Sequence, residues 1–126
     1  MKILYIEDHD KLAFAVRTLL TTRGYTVHHF KMGMLGLEKF SRDPSSWDAV
    51  IIDLELPDIP GDEIITKIAA QRPQLPIVVY SGLGGLKHQF EIISDGATAL
   101  LSKPSNARDL LDILKYVIEE PPEPIR

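Results

Sequence analysis
Each of four short apolar runs in this chain gives way to a residue able to do chemistry. "KILYI" is followed by Glu7 and Asp8, "AVII" by Asp53, "PIVVY" by Ser81, and "TALLS" by Lys103 and Pro104. Carboxylates, a hydroxyl and an amine are the groups that handle phosphate and hard metal ions. Two carboxylates about 4 Å apart repel by roughly 4 kcal/mol at an effective dielectric of about 20, so three gathered at one edge require a cation. The chain has no cysteine and no histidine at the right strand end. Oxygen ligands of this kind favour a hard divalent ion, and Mg²⁺ is the expected one. Lys103 would supply a second positive charge and Ser81 a hydroxyl, groups of the kind that hold phosphoryl oxygens. Asp53 then reads as a carboxylate nucleophile of the type that forms aspartyl phosphates.

Such a site needs elements that bring distant points of the chain together. "KILYI" reads as a strand, and Leu12, Ala15, Val16, Leu19 and Leu20 recur at helical spacing, with Gly24 just past Arg23 as a C-cap. The alternation repeats. "YTVHHF" is strand-like and 35–42 helical; "DAVIID" is a third strand, apolar without alternation and so buried on both faces. Ile64, Ile65, Ile68 and Ala69 form a helical stripe that ends before Arg72-Pro73. "PIVVYS" is the fourth strand; Leu86, Phe90 and Ile93 mark a fourth helix after Gly82, Gly84 and Gly85, and "TALLS" is the fifth strand. In the last helix Asn106 is the expected N-cap, Asp109 lies in the first turn, and Leu110, Leu111, Leu114, Val117 and Ile118 share a face. Five strands alternating with five helices need crossover connections, which predicts an α/β fold with a doubly wound parallel sheet of flavodoxin-like order 2-1-3-4-5. Ligands on such a sheet bind at the carboxyl ends of the strands, near the switch point between the first and third. The residues named above fall at those ends.

Composition agrees with a single folded unit. The chain has 126 residues, 44% hydrophobic and 25% charged, an ordinary globular balance. A formal charge of −4 without a basic stripe argues against direct nucleic-acid binding. The apolar runs fall far short of a membrane span and no signal-peptide pattern follows Met1, so a cytoplasmic location is expected. The domain is expected to occupy 1–120, with 121–126 a Pro/Glu-rich tail or the start of a linker to an effector domain.

Together, "YIEDHD", "IIDLELPDIPG", "VVYSG" and "GATALLSKP" resemble the receiver domain of two-component response regulators, in order and spacing, from Lys2 to about Glu119. The resemblance implies that Asp53 accepts a phosphoryl group from a histidine kinase or a histidine phosphotransfer protein. It implies that Glu7, Asp8, Asp53 and the Glu55 backbone carbonyl hold Mg²⁺ directly or through water, and that Ser81 and Lys103 contact the phosphoryl oxygens. It further implies a cis Lys103-Pro104 bond. The protein would be no enzyme in the ordinary sense but a phosphoacceptor that assists its own phosphorylation and dephosphorylation. Its fourth helix, fifth strand and fifth helix would be the switched face, read by an output domain or protein partner. Where the family commonly has Tyr or Phe, two positions before Ser102, this chain has Leu100, and Ser105 replaces the Phe frequent after Pro104. The glycines at 82, 84 and 85 point to a switch that orders the loop before the fourth helix.

Other residues have blander readings. His9 is expected to be loop-exposed and His28, His29 and His88 solvated. Trp47 should pack at the start of the third strand. Asp58, Asp62 and Glu63 should favour the third helix's amino end electrostatically. Two rival functions fit the pattern less well. One is an interaction module on the same fold that works without phosphate. The other is a phosphohydrolase of the haloacid dehalogenase type, which needs its nucleophile on the first strand and a cap insertion that this chain lacks room for.

Overall fold
The computed structural model describes residues 1–82, 86–103 and 105–119, with the side chains of 86–88 and 90 set aside. Five parallel strands, β1 (Lys2–Ile6), β2 (Thr26–Phe30), β3 (Ala49–Ile52), β4 (Ile77–Ser81) and β5 (Ala99–Ser102), pair in the order β2-β1-β3-β4-β5. The helices are α1 (Asp10–Thr22), α2 (Gly33–Arg42), α3 (Gly61–Gln71), α4 (Leu86–Asp95) and α5 (Ala107–Glu119). This is the flavodoxin-like architecture that the alternation of periods predicted.

Strand side chains point alternately to opposite faces, so each β-strand feeds two cores. Leu4, Ile6, Val50, Ile52, Ile77 and Val79 meet Phe40 of α2, Ile64, Ile65 and Ile68 of α3 and Ile92 of α4. Ile3, Tyr5, Ala49, Ile51, Val78 and Tyr80 meet Ala13, Val16 and Leu20 of α1 and Leu110, Leu111, Leu114 and Val117 of α5. Burial on both sides explains why the central strands are continuously apolar. Trp47 packs into the first of these cores just before β3, as expected.

Several local expectations are corrected by tertiary packing. Ala15 is exposed, and Ala13 takes its place in the core with Val16 and Leu20. Ile93 of α4 is also exposed while Ile92 is buried, a rotation of about one residue in the stripe. The α2 helix begins at Gly33 rather than at 35, because a carboxylate from a remote loop satisfies its first amides. His28 and His29 are half-buried, not solvated: His28 stands edge-on to Trp47, and the His29 ring packs on Tyr5. The helix ends follow the sequence signals more closely. Gly24 has a φ of 91° just beyond α1, and Asn106 Oδ1 accepts from the Asp109 amide at 2.9 Å.

Candidate functional site
The parallel register delivers the chemistry-bearing residues to one edge. Ile6 pairs with Ile52 across β1 and β3, so Glu7 and Asp53 leave the sheet side by side. Ser81 pairs with Ser102 across β4 and β5, and the Lys103 amide donates to the Ser81 carbonyl at 2.9 Å. Glu7 and Asp53 are 1% and 5% exposed, whereas Asp8 is exposed. One carboxylate oxygen from each of these three lies within 4.8 Å of the others, the separation of ligands around a single cation. The Lys103 amine reaches across the gap, 2.8 Å from Glu7 Oε1 and 2.9 Å from Asp53 Oδ2. Its charge offsets part of the negative charge gathered there.

The two buried carboxyls respond differently to the same surroundings. Burial pushes Glu7 up to about 7; the Lys103 bond opposes the rise and the Asp53 charge adds to it. Burial also raises Asp53, but bonds from the Glu55 amide (3.0 Å to Oδ1), Lys103, Glu7 and the Ser81 hydroxyl outweigh it and hold the carboxyl below its ordinary range. Burial would lower Lys103, yet its bonds to Glu7 and Asp53 keep it raised and charged. Asp53 is therefore an ionised carboxylate held by four donors, and Glu7, raised to about 7, takes and releases a proton near neutral pH.

Loop geometry fixes Asp53. Gly61 begins α3 and donates to the Leu54 carbonyl at 3.0 Å, closing the loop that starts at Asp53. A Cβ at Gly61 would strike the Asp53 carbonyl oxygen and lie 2.6 Å from Leu54 Cα, so only glycine lets α3 start so close to Asp53. Asp62 and Glu63 lie in the first turn of α3 as expected. Asp58 does not serve that helix: its carboxylate caps α2, accepting from Gly33 at 2.8 Å and Met34 at 2.7 Å. His9 is exposed as expected but is also structural, its Nδ1 accepting from the Leu12 amide at 3.2 Å to cap α1. Sequence reasoning missed the His29 ring, whose Nε2 lies 2.7 Å from the Glu7 carbonyl oxygen. Only the β1–β2 register reveals it. Pro104 and residues 83–85 lie outside the described residues, and with them the expected cis peptide bond and the rest of the expected glycine loop; the side chain of His88 does too.

Three carboxylates, two of them buried, with one ammonium among them leave an acidic oxygen cluster that could hold a metal ion. The chain belongs to the response regulator receiver domain family, whose model matches residues 3–115. The cell cycle response regulator CtrA of Brucella ovis is 25% identical over 118 residues, 94% of this chain and 50% of that protein. The chain thus spans about half the length of the curated relatives it matches. Among solved structures, a CheY-like receiver domain from Methanospirillum hungatei JF-1 superposes with a TM-score of 0.88 at 28% identity, covering 95% of this chain and 94% of that one. A receiver domain from Clostridium thermocellum gives 0.85 at 29% identity, with 94% of each chain covered. Among the described residues no helix is long and apolar enough to cross a membrane.

Proposed function
We propose that this receiver domain takes a phosphoryl group onto Asp53 from a histidine kinase or a histidine phosphotransfer protein and passes the signal on through α4, β5 and α5. The observation that carries this reading is the Asp53 carboxylate, ionised, nine-tenths buried or more, and bonded to Glu55, Lys103, Glu7 and Ser81 at once. An Asp53 oxygen bonds to phosphorus as the phosphorus–nitrogen bond to the donor's imidazole breaks. The bonding pair stays with that nitrogen, which takes a proton from solvent. Glu7, Asp8, Asp53 and the Glu55 carbonyl are the ligands we assign to Mg²⁺, which when bound supplies charge neutralisation for the phosphoryl oxygens. Lys103 and Ser81 orient the same oxygens. A cleft of about 280 Å³ beside the site, lined by His9, Leu12, Tyr80, Lys103 and Ser105, leaves room for the donor's ring.

Signal leaves by the same residues. A phosphorylated Asp53 competes for Lys103 and Ser81, and these stand at the ends of β5 and β4, tied by the Lys103 amide and by the Tyr80 hydroxyl, which donates to the Ser105 carbonyl. Leu100 of β5 is half-buried against the core that contains α3 and α4, so the strand transmits by packing and lacks the hydroxyl of an aromatic switch. An output domain or protein partner would read that face. We take the domain to end near Glu120, with 121–126 as tail or linker, and the protein to act in the cytoplasm.

Intact-mass spectrometry after incubation with acetyl phosphate and Mg²⁺ tests the reading. A phosphoryl increment that requires Mg²⁺ and is absent in Asp53→Ala is expected. No increment in the folded wild type, with a beryllofluoride mimic also failing to bind, would leave the phosphate-independent interaction module in its place.

A further inference from the structure
The loop between β3 and α3 is held at both ends. At its base the Gly61 amide bonds to the Leu54 carbonyl. At its tip both oxygens of Asp58 are engaged, one by the Gly33 amide and one by the Met34 amide of α2. The N-cap residue of α2, Met32, has no side-chain bond of its own, so the cap comes from a residue 24 and 25 positions further along the chain. Gly33 adds a steric lock: a Cβ there would strike the Ile64 side chain and lie 3.2 Å from Asp58 Oδ1 and from Ile59 Cγ1. One turn on, a Cβ at Gly36 would lie 2.5 Å from Ile6 Cδ1, and Ile6 directly precedes Glu7. The first turn of α2 is therefore a brace with one foot on the strand that presents Glu7 and Asp8, and the other on the loop that carries Asp53 and Glu55.

We infer that Asp58 is a positioning residue for the phosphoacceptor site, anchoring the β3–α3 loop to α2 so that the Glu55 amide stays on Asp53 Oδ1 and the Glu55 carbonyl stays with the carboxylate cluster. Asp58 touches neither the nucleophile nor the metal; it acts through three residues of backbone. Its own carboxyl suits the task. Slight burial raises it, but the Met34 and Gly33 amides lower it further, so the cap is ionised at neutral pH. The metal half of this inference rests on the Mg²⁺ reading above, whereas the Glu55 half rests on hydrogen bonds alone.

The test compares Asp58→Ala and Asp58→Asn with Leu37→Ala, which loosens α2 on its core side and leaves both Asp58 bonds to the α2 amides in place. Hydrogen exchange of the Glu55 amide, followed by NMR without metal, reads the loop; an Mg²⁺ titration followed by amide shifts reads the cluster. Asp58→Ala is expected to speed Glu55 exchange and to weaken Mg²⁺ binding, each by about fivefold, the equilibrium equivalent of a lost helix cap. Asp58→Asn, which keeps one acceptor, is expected to fall between Asp58→Ala and wild type. Leu37→Ala should leave both readouts within about twofold at a comparable loss of stability. Equal behaviour of Asp58→Ala and Leu37→Ala in both readouts would overturn the inference and leave Asp58 as a plain helix cap. Wild type that shows no Mg²⁺ shifts would refute the metal reading by itself, and Glu55 exchange would then decide whether Asp58 holds the loop. If Asp58→Ala does not fold, the Asn variant decides by the same two readouts.

Discussion

Replacing Lys103 with methionine keeps most of the side-chain volume and removes the one ammonium within bonding distance of Glu7 and Asp53 among the described residues. The two carboxylates are then left facing each other across no more than 4.8 Å. At an effective dielectric of about 20, that repulsion is roughly 3.5 kcal/mol. Breaking a buried ion pair from one side costs about 3–5 kcal/mol in general, so the two figures agree. Proton uptake gives the variant one escape. Glu7, pushed up to about 7 from an ordinary 4.5, binds its proton more tightly still once the amine is gone. Because its folded value lies above the unfolded one, its contribution to stability is fully present below the unfolded value and is lost as pH rises through the folded value. In Lys103→Met that loss runs deeper and extends to higher pH. The expected destabilisation is about 2 kcal/mol near pH 5.5, where only the Asp53 partner is lost, and about 3 kcal/mol near pH 8, the gap being limited to about 1.4 kcal/mol per pH unit above the Glu7 value. Urea denaturation at both pH values, with and without Mg²⁺, measures it, and Mg²⁺ should recover much of the loss at the higher pH. A destabilisation equal at both pH values and insensitive to Mg²⁺ would refute Lys103 as the counter-ion of this cluster.

If Mg²⁺ binds at Glu7 as proposed, it must displace the Glu7 proton, so its affinity should weaken by up to tenfold per pH unit below about pH 7 and level off above that. Calorimetry in buffers of different ionisation enthalpy would show the released proton, and an affinity constant from pH 6 to pH 8 would contradict the account. Gly61→Ala places a Cβ against the backbone of Asp53 and Leu54, neither of which can yield as a side chain would. It should cost about 2 kcal/mol and slow phosphorylation by acetyl phosphate, while Gly82→Ala, with nothing within 4 Å of the added atom among the described residues, should stay within about 0.5 kcal/mol of wild type in the same denaturation assay.

The elements, their alternation and the strand ends at which chemistry falls are legible in local pattern alone. Hydrophobic period, glycine C-caps and N-cap residues are local signals, and a parallel sheet with both faces covered follows from them with little freedom. Ala49–Ile52 and residues 77–80 are apolar throughout because both faces are buried, and the chain states this without help from its neighbours in space. Tertiary structure decided what local pattern leaves free: which side of α1 is buried, where α2 starts, and who partners whom. Lys103 bonds Glu7 from 96 positions away and Asp53 from 50. Asp58 reads as a helix-three residue by proximity in sequence, yet it caps α2, since the loop turns its carboxylate toward the amides of Gly33 and Met34. The same holds for His29, whose bond to the Glu7 carbonyl exists only because β2 lies beside β1. Hydrophobic patterning is read along the chain, but a charge is satisfied by whatever the fold brings within about 3 Å of it, and that depends on the sheet order and register as a whole.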